Sequence, residues 1–175
     1  MIVVGLDLSL RSTGCVAVPH TFAAALDWGS VRHCAITTES LPQGASVRER
    51  TGRLVAVAVQ IERWLRNDRA DVVALEMQAF RQRQAHAREL GELTGIVCAE
   101  LLPLGLPIVL VTASAARKTL LGRCPATGAK GAVSEMLRRM GAPWTDPDRS
   151  DAYAVANHVL SMHGHPAVTV GRDEP

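Results

Sequence analysis

The sequence is poor in aromatic residues, in lysine and in long uninterrupted apolar runs. Aromatic residues make up 3% of the 175 residues, and only two of the 19 basic residues are lysine. The most apolar stretch, residues 93–116, is interrupted by Glu100, Pro103, Gly105 and Pro107. A helix in the lipid bilayer tolerates neither that charge nor those breaks cheaply, so we expect no membrane span.

Cysteine is also scarce, and its spacing excludes the commonest metal motif. The four cysteines are widely separated and include no CxxC pair, so a zinc site is disfavoured. The chain opens at once on a strand-like run at residues 1–4, without a basic leader. We therefore expect reduced thiols and a cytoplasmic location.

What is present predicts one globular domain. Hydrophobic residues make up 47% of the chain and charged residues 21%, which is typical of an ordered domain rather than of a disordered segment. A chain of this length can bury an ordinary core without disulfides. We predict a single domain over residues 1–165 and a flexible C-terminal tail over residues 166–175, where no pattern remains.

The hydrophobic pattern predicts five strands and five helices. Short apolar runs between turn residues predict strands in residues 1–8, 14–18, 30–38, 71–76 and 107–111. Helical periodicity predicts helices over residues 47–66, about 82–102, a short segment ending at 121, 128–140 and 150–162. The first three strands have short connections, whereas the later ones alternate with helices. The expected fold is therefore α/β, with a mixed five-stranded sheet (three antiparallel strands, then parallel strands) flanked by helices.

Four acidic residues fall where such a fold forms its site. Asp7 lies near the end of the first strand and Glu76 at the carboxyl end of the fourth, which is the edge where open α/β sheets bind ligands. Asp148 and Asp151 lie three residues apart at the start of the last helix and share one face. If strands one and four are neighbours and this helix packs on the sheet, the four carboxylates meet.

Clustered carboxylates need cations, and hard oxygen ligands of this kind suit Mg²⁺ or Mn²⁺. Two such ions roughly 3.5–4 Å apart clamp the attacking and leaving oxygens in phosphodiester hydrolysis. Each acid also has a plainer explanation, because a strand-end acid can cap a turn and helix-start acids can cap a helix. The four together favour a metal-dependent hydrolase.

Three motifs in order carry a family resemblance. Gly5-Leu6-Asp7-Leu8-Ser9 with Ser12-Thr13-Gly14, then Val72-Val73-Ala74-Leu75-Glu76, then the Asp-x-x-Asp-Ala segment at 148–152 resemble the RuvC family of Holliday-junction resolvases, in the RNase H-like superfamily. The resemblance spans about residues 1–163. It implies that Asp7, Glu76, Asp148 and Asp151 are metal-binding catalytic residues. It also implies a homodimer that cuts a four-way DNA junction. Because such a junction has two-fold symmetry and two sites act on it, we expect paired nicks in opposed strands, with 5′ phosphates left by the attacking water.

The sequence departs from the family at three points. Leu8-Ser9 stands where cellular members usually carry Pro-Gly, which looks more like phage members. The family has an aromatic residue three positions after the catalytic Glu, but this chain has Ala79 there and Phe80 one position later. Asp146 lies close to Asp148, so the identity of the third acid stays open between them.

Basic and aromatic residues near these motifs are candidate DNA contacts. Phe80 with Arg81 and Arg83 combines a stacking ring with cations beside the expected site. The resemblance implies further DNA contacts from the basic residues around the loop at 122–128. These are Arg117, Lys118, Arg123 and Lys130. Each of these residues could instead lie on an ordinary solvated surface.

Gly91 and Gly95, four residues apart on one predicted helix, permit close backbone approach. They indicate either a helix–helix dimer seam or packing on the sheet, and the sequence does not separate the two.

Two rival functions come from other classes. The segment from Gly5 to Gly14 is also similar to the phosphate loop of actin- and hexokinase-like phosphotransferases, but those enzymes need two domains and 175 residues are too few. A non-catalytic branched-DNA-binding protein of the same fold is the second rival, although crowding acids near DNA phosphates would gain it nothing. Forks or flaps also stay open as substrates, and the sequence does not identify a partner helicase.

Overall fold

Five strands form one mixed sheet in the order β3-β2-β1-β4-β5. The computed structural model describes residues 1–77, 84–123 and 128–169, except for the side chains of residues 84–86, 129 and 130. Strand β1 pairs antiparallel with β2 and parallel with β4; β2–β3 is antiparallel and β4–β5 parallel. The strands are β1 Ile2–Asp7, β2 Ser12–Pro19, β3 Arg32–Thr37, β4 Val72–Met77 and β5 Ile108–Thr112. This confirms the predicted mixed sheet.

Six helices accompany the sheet in the described part of the chain. They are α1 Phe22–Ala25, α2 Val47–Asp68, α3 Gln84–Leu101, α4 Ala113–Leu121, α5 Ala129–Arg139 and α6 Pro147–Met162. Short 3₁₀ turns occupy Trp28–Ser30 and Leu102–Leu104. No helix in these ranges has both the length and the apolar character that a bilayer crossing requires.

Alternation along the strands divides the core into two layers. Val3 and Val16 point to the face covered by α4, α5 and α6, whereas Val4, Leu6 and Cys15 point to the face covered by α2 and α3. Because successive strand residues face opposite sides of a sheet, Asp7 lies on the α6 face together with Val3. Strand β4 follows the same rule and is apolar on both faces, as its sequence predicted.

Two glycines let α6 lie directly on the sheet. A Cβ atom at Gly5 would stand 1.9 Å from the Ala152 carbonyl oxygen, and one at Gly14 would stand 2.3 Å from the Asp148 carbonyl oxygen. Contacts this short are impossible for a real side chain, so only glycine fits beneath the helix at both positions. The backbone of α6 therefore packs directly against the backbone of β1 at Gly5 and of β2 at Gly14.

Helix α6 begins three residues before its predicted start. Asp146 caps it by accepting a hydrogen bond of 2.9 Å from the Arg149 backbone N–H, and Pro147 occupies the first helical turn. An Asp-Pro pair at these positions is a standard helix start, because proline has no N–H to leave unpaired. The signal was therefore present in the sequence, one turn upstream of the apolar stripe.

An aromatic cluster beside α6 includes an element that the hydrophobic pattern missed. Helix α1 has only four residues, too few for a periodic signal, yet its Phe22 is buried. Its ring lies 4.7 Å from that of Trp28 and 5.8 Å from that of Tyr153, and the Trp144 ring lies 5.3 Å from Trp28. Burial raises the pKa of Tyr153 far above its ordinary value. Four of the six aromatic residues in the chain thus anchor one flank of α6.

The first residues of the predicted tail are docked on α6. Asn157 donates a hydrogen bond of 2.9 Å to the Val168 carbonyl and accepts one of 2.8 Å from the Val168 N–H. The Val168 side chain packs into the core layer under α6. Val168 therefore contacts the domain from within the segment predicted to be a tail; the flexible tail over residues 166–175 stays a prediction, and residues 170–175 lie outside the described residues.

Candidate active site

Three carboxyl groups from three separate elements meet at one edge of the sheet. One ligand oxygen from each of Asp7, Glu76 and Asp151 lies within 4.8 Å of the other two. Asp7 and Asp151 are 4% and 2% exposed, and Glu76 is half-buried. A cluster of buried carboxylates is an oxygen-donor set suited to a hard cation such as a divalent metal ion. These residues therefore fit a metal ion by the chemistry of their donors.

The sheet register explains why two of these acids coincide. Leu6 pairs with Leu75 across the parallel β1–β4 ladder, so Asp7 and Glu76 each follow a paired residue by one position. Both then point to the α6 face at the carboxyl end of their strands. The third acid, Asp151, is held one turn into α6 by the close contact of that helix with Gly5 and Gly14.

An arginine predicted to bind DNA, Arg117, is paired with one acid of this cluster and is largely buried. The Arg117 Nη2 donates to both carboxylate oxygens of Asp151, at 3.3 and 3.1 Å. The two side chains are 14% and 2% exposed, so this ion pair is largely shielded from solvent. Charge-assisted bonds to two oxygens fix the carboxylate's orientation as well as its position. Arg117 thus holds Asp151 in place, whereas a DNA contact by Arg117 stays a prediction.

The two remaining acids of α6 have different surroundings. Besides capping the helix, Asp146 accepts a 2.5 Å hydrogen bond from the Arg149 Nε, and Arg149 in turn lies 3.0 Å from the His33 Nδ1. Burial, followed by the charge of Arg149, lowers the pKa of His33. Asp146 therefore serves as the N-cap of α6 and as the partner of Arg149. Asp148 is half-buried and lies one turn before Asp151, but it does not join the group whose oxygens all lie within 4.8 Å.

The predicted DNA contacts fall into two sets. Lys118 is exposed in the last turn of α4, and Arg123 is exposed just after it. Phe80, Arg81 and Arg83 lie outside the described residues, as does the side chain of Lys130, whose backbone belongs to the first turn of α5.

Sequence reasoning missed the parts of the site that depend on packing. In the sequence, Gly5 and Gly14 stood out only as parts of a motif. Two signals could have identified them: Gly5 lies on the same strand face as Asp7, and Gly14 pairs with Asp7 on the neighbouring strand. The Arg117–Asp151 pair joins residues on different helices and left no local signal.

Solved structures share this architecture over nearly the whole chain. The structure of Thermus thermophilus RuvC in complex with a Holliday junction substrate superposes with a TM-score of 0.67 at 22% identity, covering 94% of this chain and 96% of that one. A Fowlpox virus resolvase bound to Holliday junction DNA superposes with a TM-score of 0.53 at 9% identity, covering 93% and 99%. These likenesses show that the chain has the RNase H-like fold, and the fold here carries a carboxylate site that could hold a metal ion.

The family follows from the sequence comparison. The model of the family described as crossover junction endodeoxyribonuclease RuvC matches residues 3–158. A relative of that name from Sorangium cellulosum (strain So ce56) is 28% identical over 155 residues, 86% of either chain. Another, from Paenarthrobacter aurescens (strain TC1), is 30% identical over 107 residues, 59% of this chain and 56% of the other. The chain belongs to the RuvC family of crossover junction endodeoxyribonucleases, a family of metal-dependent nucleases.

Proposed function

We propose that this chain resolves four-way DNA junctions by paired, symmetric nicks that leave 5′ phosphates. The observation that carries the proposal is the meeting of Asp7, Glu76 and Asp151 at one sheet edge in a chain of the RuvC family. Support for the substrate comes from two structural neighbours whose structures contain Holliday junction DNA. A cytoplasmic location, where DNA and reduced thiols coexist, belongs to the same proposal.

In this proposal the acids come from different strands and helices and bind the same metal ions. Asp7, Glu76 and Asp151 are the ligands of Mg²⁺, for which Mn²⁺ can substitute, and Asp148 is the fourth acid of a site for two ions. Bound ions would activate a water molecule and stabilise the charge that develops on the phosphate. The chain's own contribution is to hold the acids rigidly: β1 and β4 fix two of them through the ladder, and Arg117 orients Asp151.

The exposed basic residues at the end of α4, Lys118 and Arg123, are proposed to bind the DNA backbone. They lie close in the sequence to Arg117, which pairs with Asp151. Phosphate contacts position a duplex without reading its sequence, which suits an enzyme that selects branched shape. Phe80, Arg81, Arg83 and Lys130 complete the proposed DNA-binding set.

The test is cleavage of synthetic four-way, forked and linear DNA of matched sequence, side by side. With Mg²⁺ or Mn²⁺ we expect paired nicks in the four-way junction and directly ligatable ends. Ca²⁺ should support binding without cleavage, because calcium accepts looser geometry and higher coordination. Robust cutting in EDTA would contradict the metal site. Preferred cutting of forks or flaps would reassign the substrate, and binding without cutting under every condition would make the chain a branched-DNA-binding protein.

We also propose that the enzyme is a homodimer joined along α3. Leu90, Leu93 and Val97 of this helix are buried in the core layer shared with α2, whereas Gly91 and Gly95 are exposed on its other side. A Cβ atom at either glycine would meet nothing within 4 Å, so the glycines do not serve packing on the sheet. A closed two-fold dimer would present two sites in matching orientation to a two-fold substrate.

Gly95→Leu should therefore give a monomer that binds junctions weakly and no longer makes coordinated cuts. The reason is steric: a bulky side chain would hold the two copies of α3 apart. The measurement is the mass in solution beside linearisation of a cruciform plasmid. Gly52→Leu on α2 is the matched control, because Gly52 is also exposed with nothing within 4 Å. A wild-type monomer that still linearises the plasmid would refute the dimer.

A further inference from the structure

Two cysteines stand directly opposite each other on neighbouring antiparallel strands. Cys15 of β2 and Cys34 of β3 are Cα partners in the ladder. Opposed residues of an antiparallel pair point to the same face and have Cα atoms roughly 4.5–5.5 Å apart. Disulfides join Cα atoms roughly 4.4–6.8 Å apart, so the Cα spacing of such a pair falls within the range that a disulfide spans. Both thiols are free.

The two thiols differ in how a reagent can reach them. Cys15 is fully buried in the layer under α2, next to Leu6 across the β1–β2 ladder. Cys34 is half-buried on β3, the edge strand of the sheet, and lines a surface groove between that strand and α2, together with Gln60, Arg63 and Trp64. A small solute can therefore enter from the groove and meet Cys34 first.

The local chemistry makes Cys34 the better nucleophile of the pair. The adjacent Cys15 thiol lowers the pKa of Cys34, and the charges of Arg149 and Arg32 act in the same direction against the opposing effects of burial and of the Asp68 charge. The adjacent Cys34 and burial raise the pKa of Cys15. The thiolate is the form of cysteine that reacts with oxidants. Cys15, opposite Cys34 on the neighbouring strand, can then react with the oxidised Cys34.

We propose that Cys15 and Cys34 form a redox-reactive dithiol that a small peroxide converts into a cross-strand disulfide. The Cys34 thiolate attacks one peroxide oxygen, the O–O bond breaks, and hydroxide leaves to become water. The Cys34 sulfenic acid so formed is attacked by the Cys15 sulfur, the S–O bond breaks, and the hydroxyl group leaves as water with the Cys15 proton. Two thiols and one hydrogen peroxide thus give one disulfide and two water molecules, and a cellular dithiol reductant reverses the change.

The bridge would act on the strand that supports the site. Cys15 follows Gly14, which pairs with Asp7 and seats α6. Tying β2 to the edge strand would hold that part of the sheet against fraying. Because a disulfide removes conformational freedom from the unfolded chain, we expect the oxidised protein to melt about 5 °C higher than the reduced one.

The test uses the full chain, reduced, treated with hydrogen peroxide and then alkylated. Trypsin cuts after Arg11, Arg32 and Arg48, so the two cysteines fall on separate peptides, 12–32 and 33–48. We expect these peptides to be recovered covalently linked and two hydrogens lighter, and to separate on treatment with a dithiol reductant. A wild-type chain that instead accumulates Cys34 sulfenic or sulfinic acid, or that links either cysteine to Cys98 or Cys124, would overturn the proposal.

Variants assign the roles within the pair. Cys15→Ser should leave Cys34 as a sulfenic acid that dimedone traps, and Cys34→Ser should leave Cys15 unmodified. Cys98→Ser is the matched control and should form the linked peptides at the wild-type rate, because Cys98 lies on α3. Because Cys15 is fully buried, the result does not depend on Cys15→Ser: the wild-type peptide map and the edge-strand variant Cys34→Ser decide it.

Discussion

Asp7→Asn and Glu76→Gln are expected to abolish cleavage of four-way DNA while leaving junction binding near the wild-type level. Each change removes a carboxylate charge from the three-acid cluster but keeps the shape of the side chain. Loss of an outer-shell partner of a metal already costs roughly 10–100-fold, so loss of a ligand should cost at least about 10²-fold in single-turnover rate. The measurement is cleavage with Mg²⁺ beside a binding assay in Ca²⁺.

Asp146→Asn is the matched control for these two variants. Asparagine caps a helix as well as aspartate does, so α6 should start where it starts now, with only the ion pair to Arg149 weakened. We expect near wild-type cleavage. Asp148→Asn then decides whether the fourth acid takes part: a loss as large as that of Asp7→Asn would place it among the ligands. Full activity in Asp7→Asn or Glu76→Gln would refute the site.

Gly5→Ala and Gly14→Ala should be the most damaging single-methyl substitutions in the chain. Each added Cβ would collide with backbone atoms of α6, at 1.9 and 2.3 Å, and backbone cannot rotate out of the way as a side chain can. Overpacking commonly costs about 1–3 kcal/mol, and we expect about 3 kcal/mol or more here, because a whole helix must shift. Cleavage should fall further than stability alone explains, since the same shift moves Asp151 away from Asp7.

The measurement is the free energy of unfolding in urea together with single-turnover cleavage under conditions where the variant remains folded. Gly52→Ala is the control, because it adds the same methyl group to an exposed position of α2 with nothing within 4 Å. There alanine should stabilise the helix by about 0.5–1 kcal/mol. Wild-type stability in both Gly5→Ala and Gly14→Ala would mean that α6 does not lie on the sheet as described.

The strands and the two strand-borne acids were predictable because their signals are local. Strand alternation places Gly5 and Asp7 on one face, and the apolar run ending at Glu76 predicts a buried parallel strand. Each bound of β1 and β4 lies within one residue of its predicted position. The arrangement of the acids needed only one further assumption, namely that strands one and four are neighbours, and the ladder confirms it.

The rest depended on contacts between residues far apart in the chain. Arg117 carries the same local signal as Lys118 beside it, yet one turns inward to Asp151 and the other is exposed. That difference arises from how α4 packs against α6, which no local pattern encodes. Helix α1 was missed because four residues contain barely one turn. The start of α6 was placed late because the apolar stripe begins one turn after its cap.

The placement of α6 also bears on how the enzyme is made. Asp7 belongs to β1 and Asp151 to α6, so the site joins residues that lie far apart in the sequence. During synthesis the amino-terminal strands emerge first, and contacts of such long sequence separation form slowly. A nascent or truncated chain that ends before α6 carries Asp7 and Glu76 but lacks Asp151 and leaves the glycine face of the sheet uncovered. The carboxylate cluster therefore forms only once α6 has been synthesised and has packed on the sheet.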